Sequence, residues 1–330
     1  MSNQVATLSA ESMLPKEETP GQIVFRRFRR HRLAMISLVV ILLIFLLSLF
    51  VQNIAPYQAD DLQVGNYFLP FGAKDLDTGK IHVFGTDHIG RDYFSRLLYA
   101  GRISLSVALF SVFVSEIIGI VVGAYAGFYG GLLDNVLMRI VEFLITVPTL
   151  PLLLIISSML LQNPDLIPIP APVLWVMGKI MLLRPNDARQ AVLIIAVLAG
   201  LGWMTAAQLM RGMVLSLREQ TFVEASRSMG ASNFHIIFRH MIPNAMAPII
   251  VDASLGMAGY VVAEAALSFL GFGIRDPIPT WGNMLAATQE FMFDKPWLPL
   301  IPGLPIFLCS LSFNFIGDGL RDALDPRLKM

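Results

Sequence analysis

An uncharged apolar run at residues 33–51 constrains this chain more than any other feature. It is long enough to cross a bilayer as a helix and too long for the core of a cleaved signal peptide. Similar apolar runs recur along the chain, at residues 103–128, 136–161, 188–215, 245–270 and 298–316. With 55% hydrophobic and only 15% charged residues, the composition is typical of a membrane protein. The sequence predicts an all-α, polytopic membrane protein with six transmembrane helices.

Charge next to the first run predicts the orientation of the chain. Residues 26–32 include five arginines and one histidine. Because basic residues are enriched on the cytoplasmic flanks of membrane helices, we expect a cytoplasmic amino terminus. Six spans then place the carboxyl terminus on the same side. The predicted units are a cytoplasmic tail at 1–32, a first helix at 33–51, an extracytoplasmic loop at 52–100, a five-helix core at 101–318 and a cytoplasmic tail at 319–330.

A charged segment at residues 217–243 separates the fourth and fifth apolar runs. Each of its arginines and glutamates would cost about 2.5–3.5 kcal/mol at the bilayer centre, so the segment belongs in water. Its pattern predicts two helices separated by Gly230, with Ser232 capping the second. Pro243 follows, at a position where a chain that enters a membrane helix can bend. An amphipathic pair resting on headgroups and a docking site for a soluble partner both fit this pattern.

The first predicted helix of this segment has two different faces. Phe222, Ala225 and Met229 share one face by helical spacing. Charged and polar residues occupy the other face: Glu224, Arg227 and Ser228. In the second helix the spacing predicts an apolar stripe that consists of Phe234, Ile237, Phe238 and Met241.

This segment resembles the EAA loop of ABC importer permeases. The resemblance lies in Glu224-Ala225-Ser226, in the Gly230 that follows, and in the stretch RHMIPN at 239–244. Ser226 replaces the second alanine that is usual in the family. In that family the loop carries a helix that docks into a groove on a cytoplasmic ATPase. The resemblance implies a coupling role for a set of nine residues: Phe222, Glu224, Ala225, Ser226, Arg227, Met229, Gly230, Ala231 and Ser232.

Other stretches resemble the dipeptide, oligopeptide and nickel branch of these permeases. They are GTDHIGRD at 85–92, EAALSFLGFG at 264–273 and GDGLRDALDPRL at 317–328. Gln208 stands where the family has an arginine. The charges of the first stretch fit two roles, either fixing the loop internally or contacting an external binding protein.

The resemblance implies a type I ABC importer permease fold in a bacterial inner membrane. It also implies a second related permease chain that forms a heterodimer with this one, two ABC ATPase subunits and an extracytoplasmic substrate-binding protein. In such a complex the ATPases bind ATP and Mg, and this chain holds no cofactor. The implied substrates are dipeptides or oligopeptides, with nickel chelates or another small solute as the alternative.

Within the predicted spans, three acidic residues and three glycines stand out. Glu116, Asp252 and Glu264 each line a polar pathway or pair inside the bundle, and the sequence leaves both roles open. One face of the second span has almost no side chains, because every fourth residue is a glycine: Gly119, Gly123 and Gly127. Such a face predicts close approach of another helix.

Three further features complete the prediction. Pro148 and Pro151 predict a kink in the third span. An apolar insert at residues 173–183, within a proline-rich outer loop at 162–187, is too short to span the membrane. Trp281 and Trp297 are expected at the membrane interface.

Several function classes find no support in the sequence. There is no GxxxxGK[ST] phosphate loop and no motif of a hydrolase, so we expect a non-catalytic chain. Cys309 is the single cysteine, the histidines are scattered and the net charge is zero, so neither a metal site nor nucleic-acid binding is expected. A secondary transporter driven by ions through the three acids is the second hypothesis. A structural or signalling anchor is disfavoured by the polar residues in several spans.

Overall fold

The computed structural model describes residues 19–75 and 78–325 of this chain. The regular secondary structure of these residues is almost entirely helical, so the predicted all-α class is confirmed. Two short strands, β1 (Ala73–Lys74) and β2 (Ile81–His82), pair antiparallel within the first long loop. The tail predicted at residues 1–18 and the final residues 326–330 lie outside the described residues.

The chain begins with a surface helix and the first membrane helix. They are α1 (Pro20–Arg30) and α2 (Arg32–Leu49), and a short α3 (Val51–Ile54) follows. The predicted tail at 1–32 therefore contains a helix. Its apolar side is held in place because Phe28 packs against Ala34 and Ala323.

The second membrane helix, α4 (Tyr93–Tyr129), is longer than predicted. It starts inside the loop predicted at 52–100, because Asp92 caps its first turn by accepting a hydrogen bond from the Ser95 amide at 2.7 Å. The last part of the predicted loop and the second span together form one continuous helix of 37 residues.

The third and fourth spans are each divided into two helices. Helices α5 (Gly131–Thr146) and α6 (Thr149–Gln162) meet at 94°, so the kink predicted at Pro148 is a sharp break. A short apolar helix, α7 (Ala171–Met181), follows where the insert was predicted. Helices α8 (Pro185–Gly202) and α9 (Met204–Leu217) meet at 43°.

The charged segment leads directly into the fifth span. Helix α10 (Thr221–Ser228) is followed by α11 (Asn233–His235), a π-helical turn at Ile236–Met241 and α12 (Ile242–Phe269). The structure has no break at Pro243, because a single helical path runs from Asn233 to Phe269. The wider π turn precedes the proline and accommodates its missing N–H.

The chain ends with α13 (Trp281–Ala287) and α14 (Leu300–Leu324). Helix α14 continues well into the tail predicted at 319–330, because Gly319 packs against Phe28 and Ala34 and holds this end against the first two helices. Within residues 19–75 and 78–325, four helices are long and apolar enough to cross a membrane, and the number rises to six when each bent pair counts as one span. That number agrees with the sequence prediction.

Candidate functional site

Helix α10 presents its apolar residues outward. Val223 and Ser226 form its buried side, whereas Phe222 and Ala225 are exposed and Met229, just after the helix, is 81% exposed. This face is not covered by the chain itself and is open to contact from outside the chain. The predicted division into two faces therefore holds, but the side that packs against the bundle is the one with Val223 and Ser226.

The turn after α10 has a fixed geometry. Gly230 has a φ of +79°, a conformation that side chains rarely adopt, and an added Cβ there would meet nothing within 4 Å. The Ala231 amide donates to the Ser226 carbonyl at 3.1 Å, and Ser232 accepts from the His235 amide at 3.3 Å. The cap predicted at Ser232 is confirmed.

The apolar stripe predicted for the second helix is split. Ile237 and Met241 are buried, but Phe234 and Phe238 are exposed and pack on each other with ring centroids 4.4 Å apart. Together with Phe222 and Met229 they place exposed apolar groups on both sides of the Gly230 turn. We call residues 217–243 the loop segment and these four exposed side chains its apolar surface.

Basic side chains attach the loop segment to the membrane helices. The Arg227 guanidinium lies 5.3 Å from the centre of the Phe128 ring at the end of α4. Arg218 Nη1 donates to the Gly127 carbonyl at 3.3 Å. These two contacts join the segment to the end of α4.

A further attachment joins α9 to α5. Arg211 binds Asp134 with both guanidinium branches, and Arg211 Nη2 lies 2.6 Å from Asp134 Oδ2. Such bidentate pairs are the stronger and more specific kind of ion pair. Sequence reasoning missed this pair, although an arginine at the end of one span and an aspartate in a short turn were visible signals.

The three glycines of α4 lie directly against α9. A Cβ added at Gly119 would stand 2.5 Å from the Ala206 Cβ, and one added at Gly123 would stand 2.3 Å from the Ala207 carbonyl oxygen. At Gly127 it would stand 2.8 Å from the Arg211 carbonyl oxygen. The backbones of α4 and α9 approach closely because no side chain separates them.

A pocket of about 360 Å³, open on one side, lies among the membrane helices where both divided spans bend. Thr149 and Thr205, in the first turns of α6 and α9, line it together with Gly202. Glu116 of α4 and Asp252 of α12 supply its charged lining. We call this space the central cavity.

The third acid does not line the central cavity. Glu264 is completely buried and accepts a hydrogen bond from Ser268 Oγ at 2.8 Å, one helical turn further along α12. It lies close to Ala265, against which Gly282 packs. The structure therefore separates Glu264, inside the packing of α12 and α13, from Glu116 and Asp252.

A second space lies on the other side of Asp252. It has a volume of about 580 Å³, is lined by Met213, Leu255 and Leu324, and extends to Arg321 near the end of α14. Asp252 lines both spaces. Asp252 thus stands between the central cavity and a groove that lies beside the end of the helix bundle nearest the loop segment.

The charged motif at residues 85–92 is folded inward. Arg91 Nε lies 2.7 Å from Asp87 Oδ2, and Arg91 Nη1 lies 2.7 Å from Asp276 Oδ2. Arg96 Nη2 donates to the same carboxylate at 2.8 Å. The arginines are almost entirely buried, so the motif joins the first long loop to the loop before α13.

Two further observations concern this end of the molecule. Burial raises the pKa of Asp276, but the charge of Arg96 and the hydrogen bonds and charge of Arg91 outweigh that effect and hold the pKa below its usual value.

Trp281, expected at the membrane interface, is instead buried, and its Nε1 donates to the Leu97 carbonyl at 3.2 Å.

Comparison with known proteins identifies the family. A model described as "Binding-protein-dependent transport system inner membrane component" matches residues 119–330, which is more than half of the chain. The chain belongs to this permease family. A second model, the N-terminal transmembrane domain of oligopeptide transport permease C, matches residues 19–70 of the same permease.

Similar curated permeases cover nearly the whole chain. The dipeptide transport system permease protein of Alkalihalophilus pseudofirmus is 34% identical over 94% of this chain and 91% of its own. The glutathione transport system permease protein of Escherichia coli is 36% identical over 98% of this chain and 97% of its own. A chain of the MetNI methionine ABC transporter, solved in inward-facing conformations, aligns with 70% of this permease and 96% of itself, with a TM-score of 0.44 and 19% identity.

The permease is thus a multi-pass membrane component of the dipeptide and oligopeptide branch of ABC importers. Its relatives are transport permeases rather than enzymes. Among the described residues, no group of three or more His, Cys, Asp or Glu side chains could hold a metal ion.

Proposed function

We propose that this permease forms half of the membrane channel of an ATP-driven importer for short peptides. Its loop segment docks on a cytoplasmic ATPase subunit, and both chain termini lie in the cytoplasm. An extracytoplasmic binding protein delivers the peptide, and a second, related permease chain completes the channel. ATP and Mg bind to the two ATPase subunits.

One observation carries the docking proposal. The apolar surface of the loop segment is exposed although the same segment has buried side chains at Val223 and Ile236. Exposed apolar groups with a polar rim mark interaction sites. Here the rim includes Glu224 and Arg239, both exposed, which suits a protein partner better than lipid hydrocarbon.

The attachments of the loop segment explain how docking could move the membrane helices. Arg227 and Arg218 fasten it to α4, and the helix that follows its turn continues into α12 without a bend. A displacement of α10 is therefore transmitted to the two helices that carry Glu116 and Asp252. In this mechanism the residues of the segment, including Glu224, Ala225 and Gly230, act as a rigid lever.

The proposed path runs through the central cavity. Glu116 and Asp252 line it, whereas Glu264 stabilises packing outside the path. Peptides are the proposed substrates because the relatives are named for dipeptide and for glutathione, which is itself a short peptide.

The test uses the assembled complex, with its binding protein, in proteoliposomes. Glu224→Arg reverses a charge on the proposed docking surface, and Gly230→Trp places a large side chain at the exposed turn. Both variants are expected to lose most of the ATPase subunit during purification and most of the ATP-driven peptide uptake. Arg139→Gln, at an exposed pair on α5, is the matched control and should keep both. Normal ATPase retention and uptake in both loop variants would refute the lever.

A further inference from the structure

The charged side chains that line the central cavity are all acidic. The proposed lever mechanism does not by itself explain this negative lining. The lining contains Glu116 and Asp252 but no lysine, arginine or histidine. The remaining polar lining consists of neutral hydroxyl groups: Thr149, Thr205 and Tyr260. Any ligand in this space therefore meets a site that favours positive charge.

The backbone around this space also indicates a binding site. Both divided spans break at the cavity, one between Thr146 and Thr149 and the other beside Gly202. Irregular backbone at membrane depth is tolerated where it lines a cavity or is buried in protein, and broken helices commonly form the substrate sites of transporters. The break at Gly202 is closely packed, because a Cβ there would stand 1.7 Å from the Tyr260 hydroxyl.

Two carboxylate oxygens of the described membrane helices are buried without a hydrogen-bond partner, one on Glu116 and one on Glu264, and of these two residues only Glu116 lines the central cavity. Glu116 Oε2 is buried and accepts no hydrogen bond from any described residue. A buried carboxylate without a donor is costly, since it has lost water and gained nothing in exchange. A ligand with a cationic N–H donor would supply the missing interaction.

We propose that the central cavity binds the protonated amino terminus of a short peptide at Glu116 and Asp252. This assignment rests on the proposed peptide-import function and adds a subsite to it. A volume of about 360 Å³ is at the small end of the range for ligand pockets, roughly 300–1,000 Å³, so the site holds the terminal one or two residues of a peptide. The permease itself would then select for a free amino group within the membrane.

Binding is measured on the complex with its partner permease and ATPases in nanodiscs, without the binding protein. Saturation-transfer NMR compares alanyl-alanine, its N-acetyl derivative and its carboxyl amide, which differ in which charged end is present. Loss of a charged hydrogen bond lowers affinity about tenfold or more, so N-acetylation should weaken binding by at least that factor. Amidation should leave it within about threefold. Equal binding of the free and N-acetylated peptides would overturn the proposal.

Three variants locate the effect. Glu116→Gln and Asp252→Asn should each reduce the preference for the free amine about tenfold, whereas Glu142→Gln, an exposed glutamate on α5, should leave it unchanged. An unaltered preference in both cavity variants would contradict the assignment. Proteoliposome uptake separates this result from the larger proposal: absence of ATP-driven uptake in the unaltered complex would refute the importer function, whereas uptake without an amine preference would refute only the subsite.

Discussion

The two charged motifs that most resemble the family are used in opposite ways. The motif at 85–92 buries its charges, and Arg91 reaches across to Asp276 on a distant loop. The loop segment at 217–243 leaves its charges and its apolar surface exposed. Both motifs are distinctive as sequence, but one stabilises the permease internally and the other is exposed and available to a partner. Burial, rather than sequence distinctiveness, separates the two roles.

The largest expected effect breaks the buried network. Asp276→Ala leaves the buried guanidinium groups of Arg91 and Arg96 without their shared carboxylate. Removing one partner of a fully buried ion pair costs about 3–5 kcal/mol, and because the Asp276 side chain is 54% exposed we expect a smaller loss than that. Thermal unfolding of the purified complex should show a large loss of stability. Asp165→Ala, which breaks an exposed pair with Arg189, serves as the control and should change stability little. Equal effects of the two substitutions would show that the ion pairs of the motif at 85–92 do not hold the two loops together.

A smaller effect is expected where α4 contacts α9, the helix that leads into the loop segment. Gly123→Ala places a Cβ 2.3 Å from the Ala207 carbonyl oxygen, and overpacking of this kind costs about 1–3 kcal/mol. Gly200→Ala, where an added Cβ meets nothing within 4 Å, should be neutral or slightly stabilising. The same unfolding measurement distinguishes them, and a neutral Gly123→Ala would contradict the close helix contact.

A modest effect is expected at the attachment of the loop segment. Arg227→Gln removes the contact with the Phe128 ring, which is worth about 0.5–1 kcal/mol at an exposed site. Stability should hardly change, but peptide uptake per ATP hydrolysed should fall because the lever is less firmly held. Arg139→Gln is the control. Unchanged coupling in Arg227→Gln would mean that this contact does not transmit movement.

The smallest effect at physiological pH comes from protonation of the buried network. The pKa of Asp276 is below its usual value of about 3.9, so its contribution to stability is complete above that pH and is lost as pH falls through the lowered folded-state pKa. The contribution of Asp276 to the free energy of unfolding should not change between pH 5 and 8, because the carboxylate is fully ionised throughout that range. Asp276→Asn should remove the acid-dependent part, and an identical acid profile in this variant would contradict the assigned ion pairs.

The sequence predicted most of the membrane architecture for clear physical reasons. Apolar runs gave the number of spans, and the glycines of α4 marked the close contact with α9. Side-chain capping was visible at Ser232, because the cap is a local interaction. These features depend on neighbouring residues, which is the range that sequence patterns describe.

Features that depend on distant residues were mostly missed. The role of Arg91 depends on Asp276, far along the chain, and the burial of Trp281 depends on a carbonyl of α4. The 94° angle of the break at Pro148 depends on packing. The continuous helical path through Pro243 includes a π turn that sequence patterns do not reveal. The convergence of both breaks with Glu116 and Asp252 on one cavity likewise required the fold.

The most direct test compares one exposed residue from each of the two contrasted regions. A photo-crosslinking amino acid replaces Met229, which is 81% exposed on the loop segment, or Val64, which is 83% exposed in the first long loop. In membranes containing the whole importer, position 229 is predicted to crosslink to an ATPase subunit and position 64 to none. Crosslinking of the ATPase from position 64, or its absence at position 229, would contradict the proposed docking surface.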